Sequence, residues 1–484
     1  YMNSLEVIEM ASAYIEKRIK DNGSVFAGQK ISSLPKKQRL SQAAMLSPIL
    51  RGLCSSENQM IGHFSDSDVV LEYINSNDLE RLAPMGTSCP DHFLRTKIAP
   101  LILELSPHEK LEDANAIIAK LAPAFEAYKK AYESYYNDHK HTNSPSIRDS
   151  SPVIILYPGV GMFSYAKNKQ TTRVASEFYI NAINVMRGSE AISSYTSLPR
   201  QEAFDIEYWL LEEAKLQRMP KEKSLSRKIA IVTGSGGGIG RAIADKLIAE
   251  GANVVFTDIS NDFLKEATAS YDTDQAIACN CDVTNKASID IAMQKASLQF
   301  GGVDIIVHSA GLAISKPIEE TTEKDWDLLQ NVLVKGQFLL AQSAISIFRK
   351  QNIGGNIVNI ASKNGLVAGP NNVGYGAAKA AQLHLSRLLA AEFAPDDVRV
   401  NTVNPDGVIL GSKIWEGKWA EGRAKAYGIT VEELPAFYAK RNLLNKIITP
   451  NDIANAVFAF LGILDKSTGN IINVDGGIAN AFVR

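Results

Sequence analysis

The C-terminal half of the chain alternates short apolar segments with helical stretches in a regular order. From Lys228 onward the apolar segments read IAIVTGS, NVVFTD, DIIVHSAG, NIVNIAS, VRVNTVNP and NIINVDGG, and helical patterns lie between them. Strands that are separated by helices pair in parallel, because the crossover helix returns the chain to the same end of the sheet. The pattern therefore predicts an α/β fold whose C-terminal domain is a doubly wound parallel sheet.

Length and composition limit what the whole chain can be. A chain of 484 residues is too long for one ordinary hydrophobic core. A content of 45% apolar and 21% charged residues is typical of a soluble globular protein. The formal charge of −2 gives no electrostatic reason to expect nucleic acid or an anionic membrane as a partner. We expect no membrane-spanning run and no secretory leader. Four cysteines are too few for a disulfide framework, so we predict a cytoplasmic location.

The sequence pattern divides the chain into three parts. Residues 1–22 form an amphipathic helix without a capping lead-in, which indicates the last helix of a truncated domain. Residues 23–222 mix helical and extended patterns, which predicts a smaller mixed α/β domain that ends in a charged linker around Pro220. Residues 223–484 form the predicted parallel-sheet domain.

A glycine-rich turn joins the first strand of that domain to a helix. In TGSGGGIG, Gly234, Gly238 and Gly240 allow a tight turn and a close backbone approach to a pyrophosphate at a helix N-terminus. Asp258 closes the second strand, where a carboxylate accepts hydrogen bonds from an adenosine ribose and repels a 2′-phosphate. This combination predicts NAD, rather than NADP, as the cofactor.

A tyrosine and a lysine one helical turn apart are the candidate reacting groups. Tyr375 and Lys379 of YGAAK share one face of a predicted helix, and Ser362 ends the strand NIVNIAS. Ligands of open α/β sheets bind beyond the carboxyl ends of the strands, so Ser362 is expected in the cofactor crevice. We expect the Lys379 ammonium to lower the pKa of Tyr375, so that the phenol exchanges a proton while Ser362 holds the substrate oxygen.

These motifs, in this order, resemble the short-chain dehydrogenase/reductase family from about residue 225 to residue 484. The resemblance is carried by TGSGGGIG, Asp258, CDV, SAG, Ser362, YGAAK, Asn401 and the terminal TGNIINVDGG. It implies a Rossmann fold, nicotinamide chemistry on a small-molecule substrate, and a homodimer or homotetramer built on helices near 331–349 and 375–392. The further cofactor-binding residues that it implies are Ser235, Ile239, Asp282, Val283, Ala310, Gly311 and Pro405, together with Tyr375 and Lys379.

Two positions depart from the family pattern. Leu333 stands where the family usually has an asparagine that holds a proton-relay water, and Asn331 lies two positions away. We expect this change to alter the relay or to slow the enzyme. Asp406 stands in NPDGV where the family commonly has glycine, which is either a change of substrate or cofactor fit or a tolerated loop residue.

The front half resembles the aldolase part of a class of bifunctional proteins. MGTSCPDHFLRTK, PGVGMFSYAKNK and AFDIEYWLLEEAKLQRMPK, joined to a short-chain dehydrogenase, are similar to fusions of a class II rhamnulose-1-phosphate aldolase with a lactaldehyde (alcohol) dehydrogenase. The resemblance implies rhamnose catabolism, L-lactaldehyde as a substrate, and a zinc-binding aldolase part upstream of Tyr1. A weakly catalytic NAD-binding scaffold is one alternative, and a lyase, if the zinc part is present, is another.

The histidines of this sequence predict no metal site. His139 and His141 have a ligand-like spacing, but they lie in a polar stretch without a third ligand. His308 is expected to pack near the cofactor. Two weaker candidate sets share one histidine: Cys89, Asp91 and His92 for a metal, and His92, Arg95 and Lys97 for an anion.

Residues 407–446 occupy the place of the substrate-covering segment of this family. Their aromatic side chains, Trp415, Trp419 and Tyr427, are expected to shield the site from water. Their basic side chains are candidates to meet an anionic group: Lys413, Arg423 and Lys425.

Overall fold

The computed structural model describes residues 2–22, 25–56, 58–412, 415 and 418–482. Within these ranges the chain divides into two compact units: the first runs to Lys221 and includes Ser297–Gly301, and the second comprises Glu222–Ala296 and the residues from Gly302 onward.

The first unit combines nine helices with four short strands among its described residues. In chain order they are α1 Met2–Asp21, α2 Lys36–Cys54, β1 Ile61–Ser65, α3 Asp68–Ile74, α4 Leu79–Leu82, α5 Pro90–Thr96, β2 Leu101–Ile102, α6 Ala114–His139, β3 Ile154–Tyr157, β4 Gly161–Ala166, α7 Lys169–Ile192, α8 Arg200–Glu207 and α9 Leu210–Gln217. The strands form one sheet in the order β1-β4-β3-β2. Because β4 pairs antiparallel with β1 and β3, whereas β2 pairs parallel with β3, the sheet is mixed.

Side-chain caps begin the two longest helices that follow β2. The Asp113 carboxylate accepts a hydrogen bond from the Ala116 N–H at the start of α6, and the Asn168 amide oxygen accepts one from Thr171 at the start of α7. None of the residues described for α1 is buried. The assignment of this helix to a preceding aldolase domain therefore stays a prediction.

The second unit alternates strands and helices as the sequence pattern indicates. In chain order they are β5 Ile229–Thr233, α10 Gly238–Ala249, β6 Asn253–Asp258, α11 Asn261–Thr268, β7 Ala276–Asn280, α12 Lys286–Phe300, β8 Ile305–His308, α13 Glu323–Leu329, a π-helical turn Gln330–Lys335, α14 Gly336–Gln351, β9 Gly355–Ile360, α15 Val373–Phe393, β10 Val398–Pro405, α16 Lys418–Tyr427, α17 Leu434–Arg441, α18 Pro450–Gly462 and β11 Ile471–Val474.

All strands of the second unit belong to one parallel sheet. The sheet has seven strands in the order β11-β10-β9-β8-β5-β6-β7, and its neighbouring strands pair in parallel. Every residue of β5 and β8 is buried, which is the expected result when helices cover both faces. The predicted fold class, a doubly wound parallel sheet preceded by a smaller mixed α/β unit, is confirmed.

One helical stretch of the second unit is long and apolar, although the sequence predicts no membrane-spanning run. The stretch Glu323–Gln351, which includes α13, the π-helical turn and α14, meets the length and composition of a membrane span. In its most apolar part 61% of the residues are buried inside the fold. Its apolar character therefore has a sufficient explanation in packing, as in the core helices of α/β proteins.

Candidate active site

A cavity of about 270 Å³ lies at the carboxyl ends of the strands of the second unit. Five strand ends contribute to it, through Gly234 after β5, Asp258 on β6, Ser309 after β8, Ser362 after β9 and Pro405 on β10. The strand order reverses between β5 and β8. Such a reversal leaves a crevice between the loops of the two halves, which is where open α/β sheets bind ligands.

The glycine turn after β5 forms one wall of the cavity. Gly234, with φ +65°, and Gly238, with φ +57°, adopt left-handed backbone conformations that favour glycine. A Cβ on Gly240 would lie 2.2 Å from the Gly234 carbonyl oxygen. The turn can therefore close onto the first turn of α10 only with glycine at this position, and the helix start leaves N–H groups without helical partners.

Asp258 stands beside this turn at the end of β6. Its carboxylate accepts hydrogen bonds from the backbone N–H groups of Gly236, at 3.2 Å, and Ser260, at 3.0 Å. A Cβ on Gly236 would lie 2.9 Å from Asp258 Oδ2. The bare backbone and the adjacent carboxylate fit the pyrophosphate and the adenosine ribose of a dinucleotide.

Four predicted cofactor residues do not line the cavity. The Ser235 hydroxyl donates to the Val232 carbonyl and accepts from the Thr257 N–H, both at 2.9 Å, so it joins β5 to β6. The Asp282 carboxylate accepts bonds from the N–H and the hydroxyl of Thr284. These contacts give the side chains structural roles. The other two residues outside the lining are Val283 and Ala310.

The other predicted cofactor residues line the cavity, and so do residues that sequence reasoning missed. The predicted ones are Gly234, Gly238, Ile239, Gly240, Asp258, Gly311, Tyr375, Lys379 and Pro405. The missed ones include Phe263, Leu312, Ala313, Asn364 and Ser412. Leu312 and Ala313 directly follow the SAG turn, which is the one sequence signal that could have found them.

Ser362, Tyr375 and Lys379 meet in the same cavity. The Ser362 hydroxyl is close enough to the Tyr375 phenol to lower its pKa. The buried Lys379 ammonium donates to the Ile360 carbonyl at 3.0 Å and lies 5.6 Å from the centre of the Tyr375 ring. A substrate oxygen placed between the two hydroxyls would have one hydrogen-bond donor to hold it and one group to exchange its proton.

The electrostatics of this trio differ from the sequence-based expectation. Burial raises the pKa of Tyr375 to about 12; the Ser362 hydroxyl lowers it, and the nearby Asp406 carboxylate raises it further. Burial lowers the pKa of Lys379 to about 7. The expected lowering of the phenol pKa by the ammonium is therefore wrong for the protein's own groups, because desolvation of both side chains is the larger effect.

Leu333 lies in the π-helical turn and is fully buried. Its backbone carbonyl accepts a hydrogen bond from Gln382 Nε2 at 2.9 Å and lies 3.4 Å from His308 Nε2. Its apolar side chain packs with Leu329, Ala378 and Tyr375. Leu333 therefore belongs to the apolar cluster against which Tyr375 packs.

His308 is buried at the end of β8, as a packing role requires. Its Nδ1 lies 3.2 Å from the Thr233 hydroxyl. Burial lowers the pKa of His308 to about 4, and the neighbouring Lys379 lowers it further. The imidazole is therefore neutral at physiological pH and ties β8 to β5.

The segment after β10 supplies aromatic side chains to the cavity. Trp415 and Trp419 line it, and the ring centres of Trp419 and Tyr375 are 6.1 Å apart. Tyr427 instead accepts a hydrogen bond from Arg423 at 2.6 Å. Of the basic candidates in this segment, Lys425 is exposed and Lys413 lies outside the described residues.

The histidines of the first unit are held by structural contacts. His139 Nδ1 lies 2.8 Å from the Tyr135 carbonyl, His141 Nε2 lies 2.7 Å from Asp205, and His92 Nδ1 lies 2.9 Å from the Thr87 hydroxyl. No group of three or more candidate metal ligands occurs among the residues that the structure describes.

The anion site suggested for His92, Arg95 and Lys97 does not form. The buried Lys97 ammonium donates to the carbonyls of Asp149 and Ser151, and it lies 4.1 Å from the centre of the Tyr132 ring. An ammonium that two carbonyls and an aromatic face already hold has no donor directed at a ligand. The hypothesis is wrong because Lys97 turns inward, which its spacing in the sequence does not reveal.

Comparison with known proteins gives a family for each unit. Residues 41–216 match the family described as aldolase class II, second domain, and residues 234–479 match the family described as enoyl-(acyl carrier protein) reductase. An uncharacterized oxidoreductase of Bacillus subtilis, YuxG, is 38% identical over an alignment of 489 positions, which covers 100% of this chain and 70% of that relative. The chain belongs to the fusions of a class II aldolase domain with a short-chain dehydrogenase/reductase.

Relatives of the short-chain dehydrogenase unit alone include dehydrogenases of small polyols. The NAD-dependent glycerol dehydrogenase of Listeria innocua is 32% identical over 263 residues, 53% of this chain and 96% of that relative. The D-threitol dehydrogenase of Mycolicibacterium smegmatis is 37% identical over 197 residues, 40% of this chain and 75% of that relative. The cavity of this fusion protein is thus the place where an oxidoreductase site is expected.

Proposed function

We propose that the second unit is an NAD-dependent dehydrogenase that acts on a small polyol or hydroxy-aldehyde such as L-lactaldehyde. The observation that carries the proposal is the meeting of Ser362, Tyr375 and Lys379 with the glycine turn in one cavity. The names of the glycerol and D-threitol dehydrogenases support a small alcohol as the substrate class. Resemblance to the aldolase fusions supports lactaldehyde and rhamnose catabolism, in the cytoplasm.

Each residue of the site has a separate role in the proposed reaction. The Ser362 hydroxyl donates a hydrogen bond to the substrate oxygen, and Tyr375 exchanges a proton with that oxygen. The Lys379 amine, which donates to the Ile360 carbonyl and lies 5.6 Å from the Tyr375 ring centre, positions the phenol and, when it is protonated, would offset part of the charge of the phenolate. Trp415 and Trp419 exclude water from the reacting carbon. The nicotinamide, when bound, supplies the acceptor or donor of the hydride.

The residues at the cofactor end of the cavity support NAD, rather than NADP, as the cofactor. Gly234, Gly238 and Gly240 would hold the pyrophosphate, and Asp258 would accept hydrogen bonds from the ribose hydroxyls and repel a 2′-phosphate. We also propose a homo-oligomer built on α14 and α15, since Phe338 and Leu388 on these helices expose 47% and 54% of their surface.

Two other functions have specific observations in their favour. A weakly catalytic NAD-binding scaffold is favoured by the buried leucine at position 333, which cannot hold a relay water with its side chain. Turnover with lactaldehyde and NAD separates this reading from the dehydrogenase, because a scaffold binds the cofactor without forming product. A lyase is favoured by the match of residues 41–216 to an aldolase second domain. Zinc analysis with cleavage of rhamnulose 1-phosphate tests it: bound zinc together with cleavage would support the lyase, and the absence of both would contradict it.

Removing the Tyr375 hydroxyl should abolish turnover and leave cofactor binding intact. We expect Tyr375→Phe to lower kcat by about 10²- to 10⁴-fold, the usual contribution of a positioned proton-exchanging group. Absorbance of NADH measures turnover over a panel of small aldehydes and polyols, and NADH fluorescence measures binding. Phe437→Tyr, which changes one hydroxyl elsewhere in the unit, is the matched control. Unchanged turnover in Tyr375→Phe would contradict the assignment.

The rate of alcohol oxidation should rise with pH. Burial holds the pKa of Tyr375 at about 12, so the phenol is protonated at neutral pH and only its deprotonated form accepts the substrate proton. We expect kcat/KM for oxidation to increase as pH rises toward that pKa, and kcat/KM for carbonyl reduction to fall as the phenol deprotonates. Both profiles follow from initial rates between pH 6 and pH 10. An oxidation rate that declines over this range would be inconsistent with Tyr375 as the base.

The carboxylate at the end of β6 should set the choice between cofactors. Replacing Asp258 by alanine removes the repulsion of a 2′-phosphate and the acceptor for the ribose hydroxyls. We expect the ratio of kcat/KM for NAD over NADP to fall by about 10-fold or more, which corresponds to roughly 1.4 kcal/mol. Asp262→Ala, on the neighbouring helix α11, is the control. A ratio that stays constant in Asp258→Ala would show that another group selects the cofactor.

A further inference from the structure

A second cavity, of about 430 Å³, adjoins the active site in the same unit. Asn364 lines both cavities. Three cationic side chains, Lys363, Arg423 and Arg441, line the second cavity, and its described lining contains no carboxylate. We call it the basic cavity. Its neutral polar lining consists of Asn364, Asn372, Tyr427 and Asn480.

The two arginines of the basic cavity are held by aromatic groups instead of carboxylates. Arg423 donates to the Tyr427 hydroxyl at 2.6 Å, and its guanidinium carbon lies 5.6 Å from the Trp419 ring centre. The guanidinium carbon of Arg441 lies 4.5 Å from the ring centre of Tyr438. Arg423 also donates to the Tyr438 hydroxyl through Nε and Nη2, each at 3.4 Å, so Nη1 is the nitrogen of this guanidinium without a hydrogen-bond partner among the described residues. Among the described residues, the ion pairs include neither arginine.

One nitrogen of Arg441 lacks an acceptor. Its Nη1 is buried, and no hydrogen-bond partner for it occurs among the described residues. A buried N–H group of a charged side chain that makes no hydrogen bond carries a desolvation cost. An oxyanion in the basic cavity would supply the missing acceptor.

Asp406, a carboxylate outside the basic cavity, interacts with all three of its cations. Asp406 lines the active-site cavity and is 4.0 Å from the Lys363 ammonium, at the limit of an ion pair. Burial raises the pKa of Asp406, whereas Lys363, Arg441 and Arg423 lower it and Asp475 raises it. These five groups comprise three cations and two carboxylates, and neither carboxylate lines the basic cavity.

Short contacts link the basic cavity to the reacting tyrosine. Trp419 and Arg423 lie one turn apart on α16, and the Trp419 ring is 6.1 Å from the Tyr375 ring and 5.6 Å from the Arg423 guanidinium. Trp419 thus lies between Tyr375 and Arg423, and a ligand that passes from one cavity to the other would pass Asn364, which lines both.

We propose that the basic cavity binds an oxyanion carried by the substrate, so that the preferred substrate is a phosphorylated or carboxylated hydroxy compound whose reacting carbon lies at Tyr375. The inference rests on the proposed dehydrogenase function and changes the preferred substrate from a neutral polyol or hydroxy-aldehyde to its anionic counterpart. A phosphate monoester suits the cavity best, because its several oxygens can accept hydrogen bonds from Nη1 of Arg423 and Nη1 of Arg441 at once. The neutral end of the substrate would occupy the position of the small polyol in the active-site cavity.

Matched pairs of compounds test this proposal on the full-length protein with NAD. The pairs are glycerol against glycerol 3-phosphate, glycerol against glycerate, and threitol against threitol 4-phosphate. We expect the KM of the anionic member to be at least about 10-fold lower, a difference of roughly 1.4 kcal/mol. Arg441→Met should raise that KM by about 10-fold or more and leave kcat and the KM of the neutral member within about 2-fold.

Two control variants distinguish a specific loss of anion binding from a loss of folding. Arg441→Lys keeps the charge and should recover part of the affinity, and Arg349→Met removes an exposed arginine that pairs with Asp396, so it should change nothing. A rise in KM that is equal for the anionic and neutral members in Arg441→Met would overturn the proposal, since a merely structural role predicts that result.

Inorganic phosphate separates failure of this inference from failure of the proposed function. Phosphate should raise the melting temperature of the protein, and Arg441→Met should remove that rise. A rise that depends on Arg441, without turnover of any polyol, would support an oxyanion site and contradict the dehydrogenase. If the rise in melting temperature depends on Arg441 but neutral polyols are the preferred substrates, the cavity binds a free anion. That result would overturn the proposal that the substrate carries the oxyanion. If phosphate does not raise the melting temperature and neutral compounds are the preferred substrates, the inference is overturned. The proposed dehydrogenase function is then still supported.

Discussion

Parallel pairing of seven strands places the ends of β5, β6, β8, β9 and β10 at one edge of a sheet, and the candidate site depends on this constraint. The glycine turn, Asp258, Ser362 and Pro405 are far apart in sequence, and they face one cavity because each directly ends or follows a strand. The reversal of strand order between β5 and β8 opens the crevice between them. Tyr375 and Lys379 join the cavity from α15, and the Lys379 amine donates to the carbonyl of Ile360, the last residue of β9.

Burial at this edge of the sheet determines the chemistry as well as the geometry. The Lys379 ammonium is desolvated and the Tyr375 phenol is held protonated, so neither group has its ordinary pKa. Leu333 contributes to this burial, because its side chain packs against Tyr375 and its carbonyl receives the Gln382 amide. The basic cavity has the opposite character: its arginines pack on aromatic rings, and the buried Nη1 of Arg441 has no acceptor among the described residues.

The sequence predicted those parts of the site that follow from local patterns. The strand–glycine–helix segment and the pair Tyr375 and Lys379 are short-range features, and the structure brings them together with Ser362 as their spacing indicates. The raised pKa of Tyr375 was missed because it depends on the surrounding core. The basic cavity was missed because Lys363, Arg423 and Arg441 come from three distant segments, of which only Arg423 had been noted. The inward turn of Lys97 was likewise a tertiary effect.

The central claim is that this cavity transfers hydride directly between a substrate carbon and a nicotinamide. The most direct test uses glycerol, threitol and their phosphates with deuterium on the carbinol carbons, incubated with the protein and NAD. Mass spectrometry of the reduced cofactor reads the result. The account predicts NADH that carries one deuterium from the substrate. Reduced cofactor without deuterium, or no reduced cofactor from any of these compounds, would contradict it.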